Sequence, residues 1–213
     1  MSVMNYTKAK ILNPTRFLTP WFRAAFVSVF QPAKGMNEGD AQKYEVTMLF
    51  DPKHVDTLAM KEAVYNCAKE KWGAKIKLSS TFDLPAGFRT PFRDGNEKPD
   101  YTGYKDMVFA AARANLKHKP QVIDENRQEI GDMDQPGFYS GCYARASISM
   151  WAYDTSGNKG VALNLNNVQK LADGEAFGGG KVDAVDEFDA AEDFSSPAIS
   201  PANTDGGDYD TDF

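Results

Sequence analysis

Two blocks rich in aromatic and β-branched residues, 6–12 and 21–31 (WFRAAFVSVFQ), are bounded by Pro14, Pro20 and Pro32 and predict strands. KGMNEGD predicts a turn. KYEVTMLF (43–50) predicts the returning strand, which Asp51-Pro52 ends. From about Asp56 the period changes. Leu58, Val64, Tyr65, Ala68 and Trp72 fall near one helical face, with Lys61, Glu62, Lys69 and Glu70 on another. Residues 56–72 therefore predict a helix stopped at Gly73, with Trp72 in the core. Residues 79–105 follow no period and predict a long loop, a feature that compact domains usually keep for function. MVFAAARANL (107–116) predicts a strand continued by KPQVID. YSGCYARASISMWAYD (139–154) and GVALNLNNVQKL (160–171), joined by Asp154–Asn158, predict a hairpin.

The implied fold is mainly β. It is an OB-fold-like antiparallel barrel of five or six strands with one inserted helix, in residues 1–173. Beyond Asp173 the apolar pattern ends. GEAFGGGK predicts a hinge, and 174–213 predict a flexible Gly-rich linker with a disordered acidic C-terminal tail.

Charge sharpens this division. The formal net charge is −6, yet no basic residue follows Lys181, and the 32 residues beyond it hold ten carboxylates. The remainder has 20 acidic against 24 basic side chains. A basic body joined to its own polyanion points to a polyanionic ligand. No run of 18 apolar residues suggests a membrane span, and the N-terminus lacks the pattern of a secretory signal. With two cysteines, Cys67 and Cys142, reduced thiols in a cytoplasm are the expectation.

Enzyme signatures are sparse. GGGK at 178–181 lacks the spacing of a phosphate-cradling loop, and His54 and His118 have no Cys-x-x-Cys to complete a zinc site. No cofactor, metal or catalytic residue is expected. The alternative is a metal-dependent nuclease or recombination enzyme using Asp124, Glu125, Glu129, Asp132 and Asp134. A solvated loop is the simpler account of those carboxylates.

The loop at 88–105 is the better candidate, because it interleaves rings with cations. That combination suits single-stranded nucleic acid, in which cations track phosphates and ring faces stack on unpaired bases. Phe88, Phe92, Tyr101, Tyr104 and Tyr139 are the candidate stacking residues. Lys8, Lys10, Arg23, Arg89, Arg93, Lys98, Lys105 and Arg145 are the candidate phosphate contacts. About half of the loop rings are expected to anchor the loop instead. Residues 1–120 hold 19 basic against 12 acidic side chains, an excess that predicts salt-dependent binding.

PFRDGNEKPDYTGY, KPQVID, YSGCYARAS, GNKGVALNLNNVQKLADGE and the GGG hinge together resemble the bacteriophage single-stranded-DNA-binding proteins. The resemblance runs over nearly the whole chain. It implies an OB-fold, no catalysis, and the coating of single strands in phage DNA replication and recombination. The tail is similar to that of the replication single-strand binder of short-tailed coliphages and, more loosely, of bacterial SSB. Its end (Asp208, Asp210, Asp212 and Phe213) is expected to recruit replication proteins such as a polymerase, helicase or primase. A linker of about 40 residues spans roughly 35 Å, against a body radius of gyration near 15–16 Å, so the tail could also reach and compete for the DNA groove. Homo-oligomeric or cooperative coating along DNA, in the cytoplasm of the infected host, is compatible with these features.

Overall fold

The computed structural model describes residues 10–13, 16–35 and 39–178. Ten strands and one long helix make up this part: β1 (Lys10–Asn13), β2 (Arg16–Leu18), β3 (Phe22–Ala33), β4 (Lys43–Phe50), α1 (Val55–Trp72), β5 (Phe88–Arg89), β6 (Phe92–Asp94), β7 (Val108–Asn115), β8 (Gln121–Ile123), β9 (Tyr143–Thr155) and β10 (Asn158–Ala172). The five long strands close on themselves. β3 pairs with β4, β4 with β7, β7 with β10, β10 with β9, and β9 with β3. In order of appearance these are the first, second, third, fifth and fourth barrel strands, so the ring has the five-stranded Greek-key layout of an OB-fold. The other five strands are short and attach to its rims.

Period-2 alternation explains the closure. On β4, Tyr44, Val46, Met48 and Phe50 point inward and are buried, and they face Ala114, Ala112, Ala110 and Val108 of β7. Large side chains on one strand opposite alanines on the next let a narrow barrel fill without overpacking. β9 and β10 complete the interior with Ala144, Ala146, Ile148, Met150, Val161, Leu163 and Leu165. Their turn at Thr155–Asn158 uses Ser156 and Gly157, both at positive φ.

Several expectations need correction. Pairing is mostly antiparallel, as expected, but β10 adds parallel pairings with β5, β7 and β8. β5 and β6 lie within the expected loop, since strands of two or three residues leave no readable period. Leu58 is exposed and Met60 takes its place on the buried face of α1, with Val64, Tyr65 and Ala68. The helix starts at the His54 imidazole, which accepts the Asp56 amide at 3.2 Å, and Gly73 ends it at φ 55°. Trp72 is partly buried and packs edge-on against Phe88, with ring centroids 4.9 Å apart.

The chain divides into Met1–Gly180 and Lys181–Phe213. The acidic tail, with Asp208, Asp210, Asp212 and Phe213, lies outside the described residues, as does Lys8. Residues 174–177 pack on the barrel. Arg23 donates from Nε to the Gly141 carbonyl (2.6 Å) and from Nη2 to the Glu175 carbonyl (2.7 Å), and the Phe177 amide donates to Ser140 (2.9 Å). Gly141 is at φ 110°, and a Cβ there would overlap the Glu175 carbonyl, so this strap needs glycine.

Candidate nucleic-acid interface

The residues of β4 and β7 that alternate with the core positions face outward and pair across the two strands. Lys43 lies opposite Asn115, Glu45 opposite Arg113, Thr47 opposite Ala111, and Leu49 opposite Phe109. This outer surface forms the floor of an open groove of about 640 Å³. In OB-folds the face of the second and third strands is the one that binds oligonucleotides.

Segment 95–107 folds over one end of the floor. There Tyr104 and Phe109 bury themselves with Ala25 and Leu49 in a small second core outside the barrel. Gly95 allows that fold-over, because its amide donates to the Met107 carbonyl at 2.7 Å and a Cβ would overlap the Tyr104 carbonyl. Burial pushes the Tyr104 hydroxyl up to about 12, and the neighbouring Thr47 side chain offsets only part of that. Among the described residues, the hydroxyl has no hydrogen-bond partner of good geometry.

Rings stand at both ends of the groove. At the covered end, Phe26 and Tyr101 are 43% and 47% exposed and meet edge-on at 5.2 Å. Phe26 sits where the β3–β4 register breaks between Ala25 and Ser28, with φ at 46°. A phenylalanine in the left-handed region is strained, and the bulge re-aims its ring outward. At the other end stand Trp151, 47% exposed, and Tyr153, with centroids 5.6 Å apart. Both lie on the polar face of β9, in phase with Tyr143, Arg145, Ser147 and Ser149.

Five cations line the groove (Lys43, Arg89, Arg93, Lys98 and Arg113), and Glu45 is the one carboxylate among its described lining residues. Glu45 accepts from Arg113 Nε at 2.8 Å. Arg93 is held by Glu97 (3.1 and 2.5 Å), so its charge is partly answered on the protein. Lys98 is held differently. Its Nζ lies 4.9 Å from the Tyr101 ring centroid, 5.4 Å from Phe26, 5.6 Å from Phe109 and 5.8 Å from Tyr104. Exposed cation–π contacts contribute about 0.5–1 kcal/mol, so the ammonium is placed but not locked.

Of the residues chosen from sequence, the fold gathers Arg89, Arg93, Lys98, Tyr101 and the edge of Tyr104 at this groove. It disposes of the others elsewhere. Phe92 is buried in the main core and Tyr104 is 1% exposed, so neither ring presents a free face for a base. Phe88 packs on Trp72. The single Tyr139 hydroxyl proton is shared between Asp173 Oδ1 (2.9 Å) and the Gly174 carbonyl (3.0 Å), anchoring the end of β10. The Lys170 ammonium, followed by this hydroxyl, holds the Asp173 carboxyl below its usual range. Arg23 is spent on the strap, between the Tyr143 and Phe177 rings, and Arg145 donates to Gln169 at 2.8 Å. Lys10 and Lys105 are exposed but do not line the groove. Among the carboxylates of 124–134, Asp124 and Asp132 have local partners. Asp124 accepts the amides of Asn126 and Gln128, and Asp132 pairs with Lys119.

Sequence reasoning missed Phe26, Lys43, Arg113, Trp151 and Tyr153. The strand parity of β9 held a usable signal, since Trp151 and Tyr153 fall on the face that carries Arg145, Ser147 and Ser149. Nothing in the local sequence announces the bulge at Phe26.

A family model described as Enterobacter phage Enc34, ssDNA-binding protein, matches residues 15–196. Putative protein p50 of Acyrthosiphon pisum secondary endosymbiont phage 1 is 35% identical over 171 residues, covering 78% of this chain and 89% of its own. Among solved structures, the single-stranded DNA-binding protein of bacteriophage Enc34 in complex with ssDNA superposes with a TM-score of 0.67 at 20% identity, covering 81% of this chain and 94% of that one. Bacteriophage T7 gp2.5, a single-stranded DNA binding protein, gives a TM-score of 0.55 at 16% identity, over 83% of this chain and 98% of its own. These likenesses reproduce the barrel deduced from the strand pairing.

Proposed function

The chain belongs to the phage single-stranded-DNA-binding family represented by the Enterobacter phage Enc34 protein, and on that premise we propose that it binds single-stranded DNA along the β4–β7 groove. It does so without catalysis and largely without regard to sequence, in phage DNA replication and recombination. The observation that carries this reading is the groove itself, open and lined by five cations against one carboxylate among the described residues, with a ring pair at each end of which Phe26, Tyr101 and Trp151 are exposed. Phe26, Tyr101, Trp151 and Tyr153 offer faces to bases, at about 1–3 kcal/mol per stacked base. Lys43, Arg89, Arg93 and Arg113 track phosphates. No base-specific hydrogen-bonding set is needed for such binding, because every base has a stackable face.

The test is a fluorescence titration with poly(dT) across several salt concentrations. Four to five phosphate contacts give a slope of log K against log salt near −3, at about −0.7 per contact on a single strand. Trp151→Ala is expected to remove most of the tryptophan quenching and to weaken binding. Unchanged quenching and affinity in that variant would place the DNA elsewhere.

The acidic tail extends the proposal. Its ten carboxylates compete with DNA for the groove, and Asp208, Asp210, Asp212 and Phe213 dock on a polymerase, helicase or primase once DNA has displaced them. Removing residues 205–213 should raise DNA affinity at low salt and abolish that docking. Coating of the strand by successive copies, in the cytoplasm of the infected bacterium, belongs to the same reading. No described helix is long and apolar enough to cross a membrane.

A further inference from the structure

The ring cup around Lys98 is a binding subsite in its own right, and we propose that it is a nucleobase subsite whose resident ammonium gives way to a base of the bound strand. The inference rests on the groove being the DNA-binding surface. Four ring centroids lie within 5.8 Å of Nζ, and no carboxylate pairs with Lys98 among the described residues. A lysine ammonium is strongly hydrated, and at a surface it normally sits in water or against a carboxylate. Here, among the described residues, ring faces hold it.

The cup is preformed. Tyr104 and Phe109 are fixed in the small outer core and make its floor. Tyr101 and Phe26 are its exposed walls, and Phe26 reaches that position only through a strained bulge. Strain of this kind persists where the surroundings hold it and clusters at ligand clamps. Its visible product is a ring beside Tyr101 and facing the Lys98 ammonium.

The exposed Tyr101 and Phe26 rings that attract the ammonium through their quadrupole also present an apolar plane to a base, and stacking on a base is the stronger of the two contacts. A displaced Lys98 keeps its charge within a side chain's length of the phosphate next to the stacked base. Its positive charge therefore moves from rings to backbone and is not lost. Before DNA arrives, the ammonium keeps the cup polar, so the exposed rings do not form a bare apolar patch open to other partners.

The test uses the full chain with lysine ε-carbons isotopically labelled, read by NMR and assigned with Lys98→Ala. In the free protein the Lys98 ε-methylene signal is expected upfield, shifted by the ring currents of the cup. At saturation with oligo(dT) it is expected to return to the position of solvent-exposed lysines. A signal that stays upfield at saturation overturns the assignment of the cup as a base subsite. If the Trp151 indole signal shifts in that same sample, the groove reading survives; if it too is unmoved, the groove reading falls as well. In salt titrations Lys98→Ala is expected to bind oligo(dT) more weakly at low salt, with a slope smaller by about 0.7. At high salt it is expected to bind about two- to fivefold more tightly, because the competitor for the rings is gone. Weaker binding at every salt concentration would mark Lys98 as a fixed phosphate anchor and overturn the proposal.

Discussion

Segment 88–105 and strands β3 and β9 both carry several large rings and use them in opposite ways. In the segment, Phe88 packs on Trp72, Phe92 enters the main core and Tyr104 founds the small outer one, which leaves Tyr101 exposed. On the strands, Trp151 and Tyr153 stand at the groove with their backbone held in the β9–β10 ladder, and Phe26 stands there at a bulge flanked by the ladder pairs of Ala25 and Ser28. A segment without a ladder must bury side chains to stay in place. A residue whose position is already set by its strand can keep its ring free for a ligand. Rings on irregular chain are therefore poor candidates for stacking unless other rings anchor the segment around them.

Substitutions that separate anchors from platforms test this contrast. Tyr104→Ala or Phe92→Ala should cost about 3–5 kcal/mol of folding stability, measured by chemical denaturation, as expected for a buried ring removed from a packed site. A cost under about 1 kcal/mol would mean that the segment does not depend on its rings. Alkaline pH probes the same anchor more gently. The Tyr104 hydroxyl is raised to about 12 in the folded protein against an ordinary 10, so the neutral form is favoured by folding. Its stabilising contribution is complete below pH 10 and disappears as pH rises through about 12, at roughly 1.4 kcal/mol per pH unit between. Buried Cys142, raised to about 11 from 9, adds a similar slope between those values. Tyr104→Phe should remove the upper part of this dependence and leave the lower part to Cys142.

On the platform side, Trp151→Ala should weaken DNA binding by about 1–3 kcal/mol while changing stability by less than about 1 kcal/mol. A variant that unfolds easily and binds normally would reverse the roles of strand and segment. The smallest expected effect concerns charge. Arg89→Gln should reduce the salt slope by about 0.7, and Lys105→Gln, exposed but outside the groove, should leave it close to wild type. Equal slopes for the two would mean that overall charge, not the groove, governs affinity.

The barrel was readable from sequence because its five long strands run for eight or more residues, with period 2 plain in β10 and aromatic and β-branched content marking β3. β4 and β7 fall within one residue of their expected limits. β5, β6 and β8 span two or three residues and carry no period. The closure between parallel β7 and β10 depends on pairing at long range, which local pattern does not encode. The same division applies to the site. Arg89, Arg93, Lys98 and Tyr101 were visible as an interleaved run. Lys43 and Arg113 become groove residues only when β4 and β7 lie side by side. Phe26 depends on a backbone bulge that its neighbours, Ala25 and Val27, do not signal.

The parallel seam between β7 and β10 has a further consequence. It joins Ala112 to Leu163, 51 positions apart, and β10 is also the last strand of the barrel to be synthesised. A chain emerging from the ribosome therefore cannot shut its ring until nearly all of the first 172 residues are available. Contacts at such separation slow folding, because the entropy of the intervening chain is lost before pairing compensates. The groove draws on β3, β4, β5, β6, β7, β9 and β10, so no fragment that ends before β10 possesses it whole. Translation cut short before β10 would yield chains with an incomplete groove, and the whole surface would be assembled only at the end of synthesis.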